Sequence, residues 1–375
     1  MKWDATEGSK GNFNYNGGDQ ISNYCTTNSY KMRGHTMVWH AQTPSWVQSL
    51  GRTEMLAAMK NHITNLMTHF KGKILEWDIC NECVADGSSS LRNSFWKNKI
   101  GEDFIDSAFS YAHQADTNVY LYYNDYSGES AGSTKSDFIY NMVKGMKQRG
   151  IPIHGVGLQC HLNAPVSKDK ISANIKRLGD LGLRVSCTET DIGNGTTSPS
   201  SWTNLVQACV ENYNATSFLT WGVGDADSWK GSGCGCLIWT TSYQAKAEVY
   251  AAVQNAFNGA DAAITAKRKE FMALSPEALL KYKVGVVAPG KQGKQESLRV
   301  ALNGTTLSCY LPVSQNMHLQ IIDMLGKVAV DFKPGMQTAG VHNFIVPRKV
   351  LPAGLYFARV NSGNQVTSIP FTKLN

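Results

Sequence analysis

The chain has 375 residues, 42% of them hydrophobic and 17% charged, which excludes a disordered polymer and allows one large core plus an appendage. No uninterrupted apolar run reaches membrane-spanning length, so no transmembrane helix is expected. The net charge of +7 is uneven: residues 263–375 hold 14 Lys and Arg against 5 Asp and Glu, and the preceding ones 22 against 24. A solvated basic face on the C-terminal third accounts for that surplus, and nucleic acid is not the expected partner.

Over the first two thirds, short β-rich runs alternate with longer helical patterns, the signature of βα units around a parallel sheet. Strands are expected at 32–40, 74–82, 119–126, 153–161, 184–192 and 217–223, and helices at 52–70, 102–115, 134–149, 169–181, 201–212 and 245–257. In the first of these helices Met55, Met59, Ile63, Leu66 and Met67 recur at three- and four-residue steps, which makes one face apolar.

The strand tips are polar or aromatic: His35 and His40, Asn81 and Glu82, Asn124 and Asp125, Gln159 and His161, Glu189 and Asp191, and Trp221. Unpaired buried carboxylates are costly, so a row of them at strand ends points to a shared mouth. The expected fold is α/β, a (β/α)8 TIM barrel lacking its first strands, because only six strand patterns are present and none precedes Lys2. A barrel variant of six or seven strands stays open.

This catalytic-type barrel is assigned to residues 1–260. A basic helical segment and linker follow over 261–296, with Lys267, Arg268 and Lys269 in the helix and a Gly/Pro/Lys-rich run at 288–295. Beyond it, short strands at 298–302, 307–311, 317–324, 328–332, 341–346, 355–360 and 365–371 predict a small all-β, sandwich-like domain over 297–375.

Nine cysteines leave at least one thiol unpaired within the chain. Cys80 and Cys83 have metal-pair spacing but lie in a strand run, where small buried side chains explain them better. Cys234 and Cys236, in a Gly-rich loop, are candidates for a disulfide to a distant partner. Three histidines at strand ends also permit a metal, but none is assigned.

Two glutamates carry the chemistry. Glycoside cleavage needs a carboxylic acid to protonate the leaving oxygen and a carboxylate across the sugar ring, held about 5–5.5 Å apart for retention. Glu82 and Glu189 end two separate strands, and tryptophans 39, 46, 96 and 229 offer flat apolar faces nearby. Structural salt bridges are the competing explanation.

Seven ordered motifs sharpen this reading: MKWDATE at 1–7, RGHTMVWHAQ at 33–42, WDICNE at 77–82, LYYNDY at 121–126, GVGLQCH at 155–161, TETD at 188–191 and WGV at 221–223. Together they resemble glycoside hydrolase family 10. The resemblance implies a secreted or surface-held retaining endo-β-1,4-xylanase acting on xylan and xylo-oligosaccharides without a cofactor. It implies Glu82 as acid/base, Glu189 as nucleophile, Asn81 on a sugar 2-hydroxyl and His161 orienting Glu189. Lys2, His35, Trp39 and Gln159 match residues of the glycone side, Tyr126 lies toward the aglycone side, and Trp221 and Trp229 match the roofing tryptophans. The family pattern has two further strands ahead of Lys2, in agreement with the strand count. A catalytically impaired glycan-binding protein, or an enzyme preferring mixed or cello-type glucans, is the alternative. More weakly, residues 319–327 and 351–360 resemble sorting domains of the type IX secretion route, which implies secretion machinery or cell-surface attachment as a partner; a carbohydrate-binding β-sandwich competes.

Overall fold

A computed structural model describes residues 1–193, 195, 197–281, 299–303, 306–311, 314–323, 327–347, 351–362 and 365–373. The chain divides near residue 285 into two compact units. The linker run at 288–295 lies outside the described residues.

The first unit is built on a parallel sheet. Its strands are β1 (Arg33–Gly34), β2 (Val38–Trp39), β3 (Glu76–Asn81), β4 (Tyr120–Asp125), β5 (Gly155–Leu158), β6 (His161–Leu162), β7 (Arg184–Ile192) and β8 (Ala215–Thr220). All six expected strand runs are present, two of them split into short pairs where a turn interrupts the ladder. β1 and β2 both pair β3, and the order then runs β4, β5, β7, with β6 and β8 on β7. Every residue of β3, β4, β5 and β7 is buried, as expected for parallel strands covered on both faces.

The helices in chain order are α1 (Trp3–Thr6), α2 (Asn16–Thr27), α3 (Ser45–Gln48), α4 (Arg52–His69), α5 (Phe95–Ile100), α6 (Phe104–Ala115), α7 (Thr134–Gln148), α8 (Lys168–Asp180), α9 (Pro199–Val210), α10 (Ala247–Asn258), α11 (Ala262–Ala273) and α12 (Pro276–Leu280). On α4 the predicted face, Met55, Met59, Ile63, Leu66 and Met67, is buried in the main core.

The basic helical stretch, set apart from the barrel in the sequence, docks on it. Arg268 donates to the carbonyls of Cys209, Val210 and Asn212 at the end of α9. That places a cation where the helix dipole is negative. Phe271 and Leu279 bury against Tyr120 and Tyr122, and Arg184 and Tyr120 bond the carbonyls of Met272 and Leu274 at 2.8 and 2.6 Å. These partners sit at the N-terminal ends of β4 and β7, so the helices floor the sheet and leave its other end free.

The second unit contains all seven expected strands: β9 (Arg299–Asn303), β10 (Thr306–Leu311), β11 (Gln315–Asp323), β12 (Val328–Gln337), β13 (Gly340–Ile345), β14 (Gly354–Ser362) and β15 (Gln365–Lys373). They form antiparallel sheets ordered β13-β10-β9 and β12-β11-β14-β15. Alternate residues of β10 and β11, including Leu307, Cys309, Leu311, Met317, Leu319 and Ile321, share one core with residues of β14 and β15.

Candidate active site

The register ties β3, β4, β5 and β7 together: Asn81 pairs with Asn124, Asn124 with Gly157, and Gly157 with Ser186, three residues before Glu189 on β7. Gly157 is required here. A Cβ at that position would lie 2.1 Å from Asn124 Oδ1, and it is Asn124 that ties the site together. Its Nδ2 donates to Asn81 Oδ1 and to Glu189 Oε1, both at 2.8 Å.

A cleft of about 310 Å³ opens here. Lys2, His35, Trp39, Asn81, Glu82, Tyr126, Gln159, His161, Glu189, Trp221 and Trp229 line it. The eleven residues that the family resemblance assigned to the site therefore face one space, whereas Trp96 is buried in the core and Trp46 packs against it. His40, another expected tip, does not line it. Asp125 and Asp191 lie buried behind the lining.

Glu82 follows β3 directly and lies in the left-handed region, with φ +55. A non-glycine residue held there is strained, and such strain persists only where neighbours enforce it. Its side chain accepts from Trp39 Nε1 at 2.8 Å and from Gln159 Nε2 at 3.0 Å. Gln159 Nε2 also reaches Asn81 Oδ1 at 3.3 Å.

Glu189 is 5% exposed. Besides Asn124, it is approached by His161 Nε2 at 3.2 Å and His35 Nδ1 at 3.9 Å. His161 Nδ1 bonds Asp191 Oδ2 at 2.8 Å. Burial opposes charge on His161, but the bonds to Asp191 and Glu189 outweigh it and push its pKa up to about 9. The ring is then a cation at neutral pH, donating from one nitrogen to Asp191 and from the other to Glu189.

Asp191 is in turn held by Lys230 Nζ at 2.6 Å and Trp229 Nε1 at 2.8 Å. Despite burial, His161, Lys230 and Trp229 keep its pKa below the usual carboxylate range. On the other flank His35 Nδ1 bonds Asp78 Oδ2 at 3.0 Å, and Arg33 pairs with the same carboxylate.

Trp221 stands edge-on to both His35 and His161, with centroids at 5.8 and 6.3 Å. Lys2 Nζ lies 5.0 Å over Trp39 and donates to Gln42 at 2.6 Å. Cys234 and Cys236 are disulfide-bonded to each other, which corrects the expectation of a distant partner. The intervening Gly235, at φ +62, lets both side chains turn to the same side.

Sequence reasoning assigned no role to Lys230, Arg92, Lys135 or Asp78. The last had a signal available: it lies in the same motif as Glu82, on a strand buried on both faces, where a carboxylate must have a partner.

Two carboxylates facing one cleft, one beside a histidine cation and one among neutral donors, with tryptophans around them at the C-terminal end of a parallel βα sheet, define a site of the glycoside-hydrolase class. Residues 1–256 match Glycosyl hydrolase family 10, and the chain belongs to that family. It is 39% identical over 246 residues to endo-1,4-beta-xylanase B of Neocallimastix patriciarum, covering 63% of this chain and 28% of that protein. With endo-1,4-beta-xylanase A of Thermoanaerobacterium saccharolyticum it shares 36% over 276 residues, 68% of this chain and 24% of that one. The chain thus spans about a quarter of the length of these curated relatives. Among solved structures, xylanase 10B of Thermotoga petrophila in complex with xylobiose matches with a TM-score of 0.66 and 30% identity, covering 69% of this chain and 83% of that one. A psychrophilic endo-beta-1,4-xylanase of the same family matches at 0.64 and 36%, covering 68% and 86%.

Proposed function

We propose that this protein cleaves internal β-1,4-xylosidic bonds of xylan with retention of anomeric configuration. The observation that carries this is the unlike setting of two carboxylates lining one cleft. Glu189, beside the His161 cation, is the nucleophile: its oxygen attacks the anomeric carbon, and a glycosyl ester forms as the glycosidic bond breaks. Glu82, at the half-exposed mouth, gives its proton to the departing oxygen. It then takes a proton from the water that hydrolyses the ester.

Asn81 fits a role at the sugar ring. Its Oδ1 already accepts from Asn124 and Gln159, which directs Nδ2 to donate to a sugar hydroxyl. Trp39, Trp221 and Trp229 supply apolar faces for the rings on either side. Polymeric xylan does not enter cells, which favours action outside the cell or at its surface. Xylobiose in the related structure supports the choice of sugar.

Reducing-sugar release from xylan, followed by NMR of the first anomer formed, tests the reading. Formation of the β anomer, lost in Glu82→Gln and Glu189→Ala, is the expected result. A folded parent that releases no sugar, or that forms the α anomer first, overturns it.

A further inference from the structure

The side chain of Glu82 is held by Trp39 and Gln159, but its backbone is held from beneath by groups that never reach the cleft. The Cys83 N–H donates to Tyr123 Oη at 3.1 Å, and the Tyr123 hydroxyl donates to Asp125 Oδ2. The Val84 N–H reaches the same Oδ2 at 3.4 Å. Asp125 Oδ1 accepts from the Tyr126 N–H at 2.9 Å and pairs with Lys135 Nζ at 2.8 Å. Tyr123 is fully buried, and Asp125 is 1% and Lys135 2% exposed.

Arg92 holds the turn from the opposite side. Its Nε donates to Glu82 O at 3.0 Å, while Nη2 reaches Val84 O at 3.3 Å and Tyr126 Oη at 2.9 Å. Glu82 is thus the one residue of this turn in the left-handed region, with both following peptide N–H groups and its own carbonyl tied down. Burial pushes the Asp125 pKa up to about 6 against the pull of Lys135 and Tyr123, and the carboxylate's two oxygens engage the peptide N–H groups of Val84 and Tyr126 as well as those two side chains.

We propose that Asp125, with Tyr123 and Lys135, is a positioning residue that aims Glu82 for proton donation by pinning the two peptides that follow it. This rests on the reading of Glu82 as the acid. Misplacing a general acid by a fraction of an ångström slows the step that needs its proton and spares a step that does not. Departure of dinitrophenolate needs no protonation, whereas departure of a sugar hydroxyl does.

The test compares kcat/KM for xylotetraose with that for 2,4-dinitrophenyl β-xylobioside, since kcat/KM on the activated substrate reports glycosylation alone. Asp125→Asn is expected to lose about 10- to 100-fold on xylotetraose and less than about threefold on the aryl substrate. Tyr123→Phe, which removes one hydroxyl without opening a cavity, is expected to show the same split at about 3- to 10-fold. It carries the test alone if Asp125→Asn does not fold. Equal losses on both substrates, or no loss on either, overturn the positioning role. A parent protein inert toward the aryl xylobioside overturns instead the reading of the cleft on which this inference rests.

Discussion

The walls around Glu82 and Glu189 use the same residue type in opposite ways. Behind Glu189 the charges alternate: His161, then Asp191, then Lys230, with Asn124 and His35 on its flanks. Its Oε2 meets a cation that has its own counterion, and its Oε1 an amide and a second imidazole. Around the Glu82 carboxylate the donors are neutral, an indole and an amide, and the nearby ions are engaged with the backbone or with each other. The two roles proposed for these carboxylates, nucleophile and proton donor, go with unlike hydrogen-bond partners rather than with unlike residue types.

Removing each glutamate in turn is the hardest blow to that comparison. Glu189→Ala should lose at least about 10⁴-fold in kcat on any substrate, because no covalent step remains. Added azide should restore turnover of an activated aryl β-xylobioside and give the α-glycosyl azide. Glu82→Ala should lose about 10²- to 10⁴-fold on xylan, and azide should yield the β-glycosyl azide, since the glycosyl ester still forms. Exchange of the two product configurations would reverse the roles.

The next effect concerns the His161 cation. Its pKa in the folded protein, about 9, is above the ordinary value near 6.5. The stability it contributes is therefore fully present below about pH 6.5 and is lost as pH rises through about 9. Urea midpoints and kcat should fall together across that window. In His161→Asn the stability decline in that window should be much reduced, and kcat at neutral pH should drop about 10- to 100-fold with the loss of a charge-assisted bond to Glu189.

How much of this was legible in the sequence follows the same divide. Strand ends and their side chains could be read, because β periodicity and motif order fix which residues reach the mouth. The family resemblance added Lys2, Trp39, Tyr126 and Trp229 to those strand-end residues, and all eleven residues it assigned line the cleft. What could not be read was the support behind them. Lys230 meets Asp191 across a loop, and Lys135 enters from the start of α7, so no spacing rule connects either to its carboxylate. The split of 32–40 into β1 and β2 was not read from the sequence either. The docking of α11 was hidden as well, since Lys267, Arg268 and Lys269 suggest a solvated face. In the fold, Arg268 is spent on helix-end carbonyls.

The smallest effect should come from Trp229, which belongs to both the sugar surface and the charged wall. It is 62% exposed, stands edge-on to His161 with centroids at 5.2 Å, and donates to Asp191 at 2.8 Å. Lys230 already neutralises Asp191, so losing the indole N–H should leave the charge pattern intact. Loss of the ring should cost about 0.5–1.5 kcal/mol of contact with sugar, or about 2- to 12-fold in KM. Trp229→Ala is therefore expected to raise KM within that range and change kcat by less than about twofold. Trp229→Phe, which keeps a ring and drops the N–H, should recover most of the KM. A fall in kcat shared by both variants would mean that the bond to Asp191, rather than the ring face, is what the site needs from this residue, and the charged wall would then extend to the rim of the cleft.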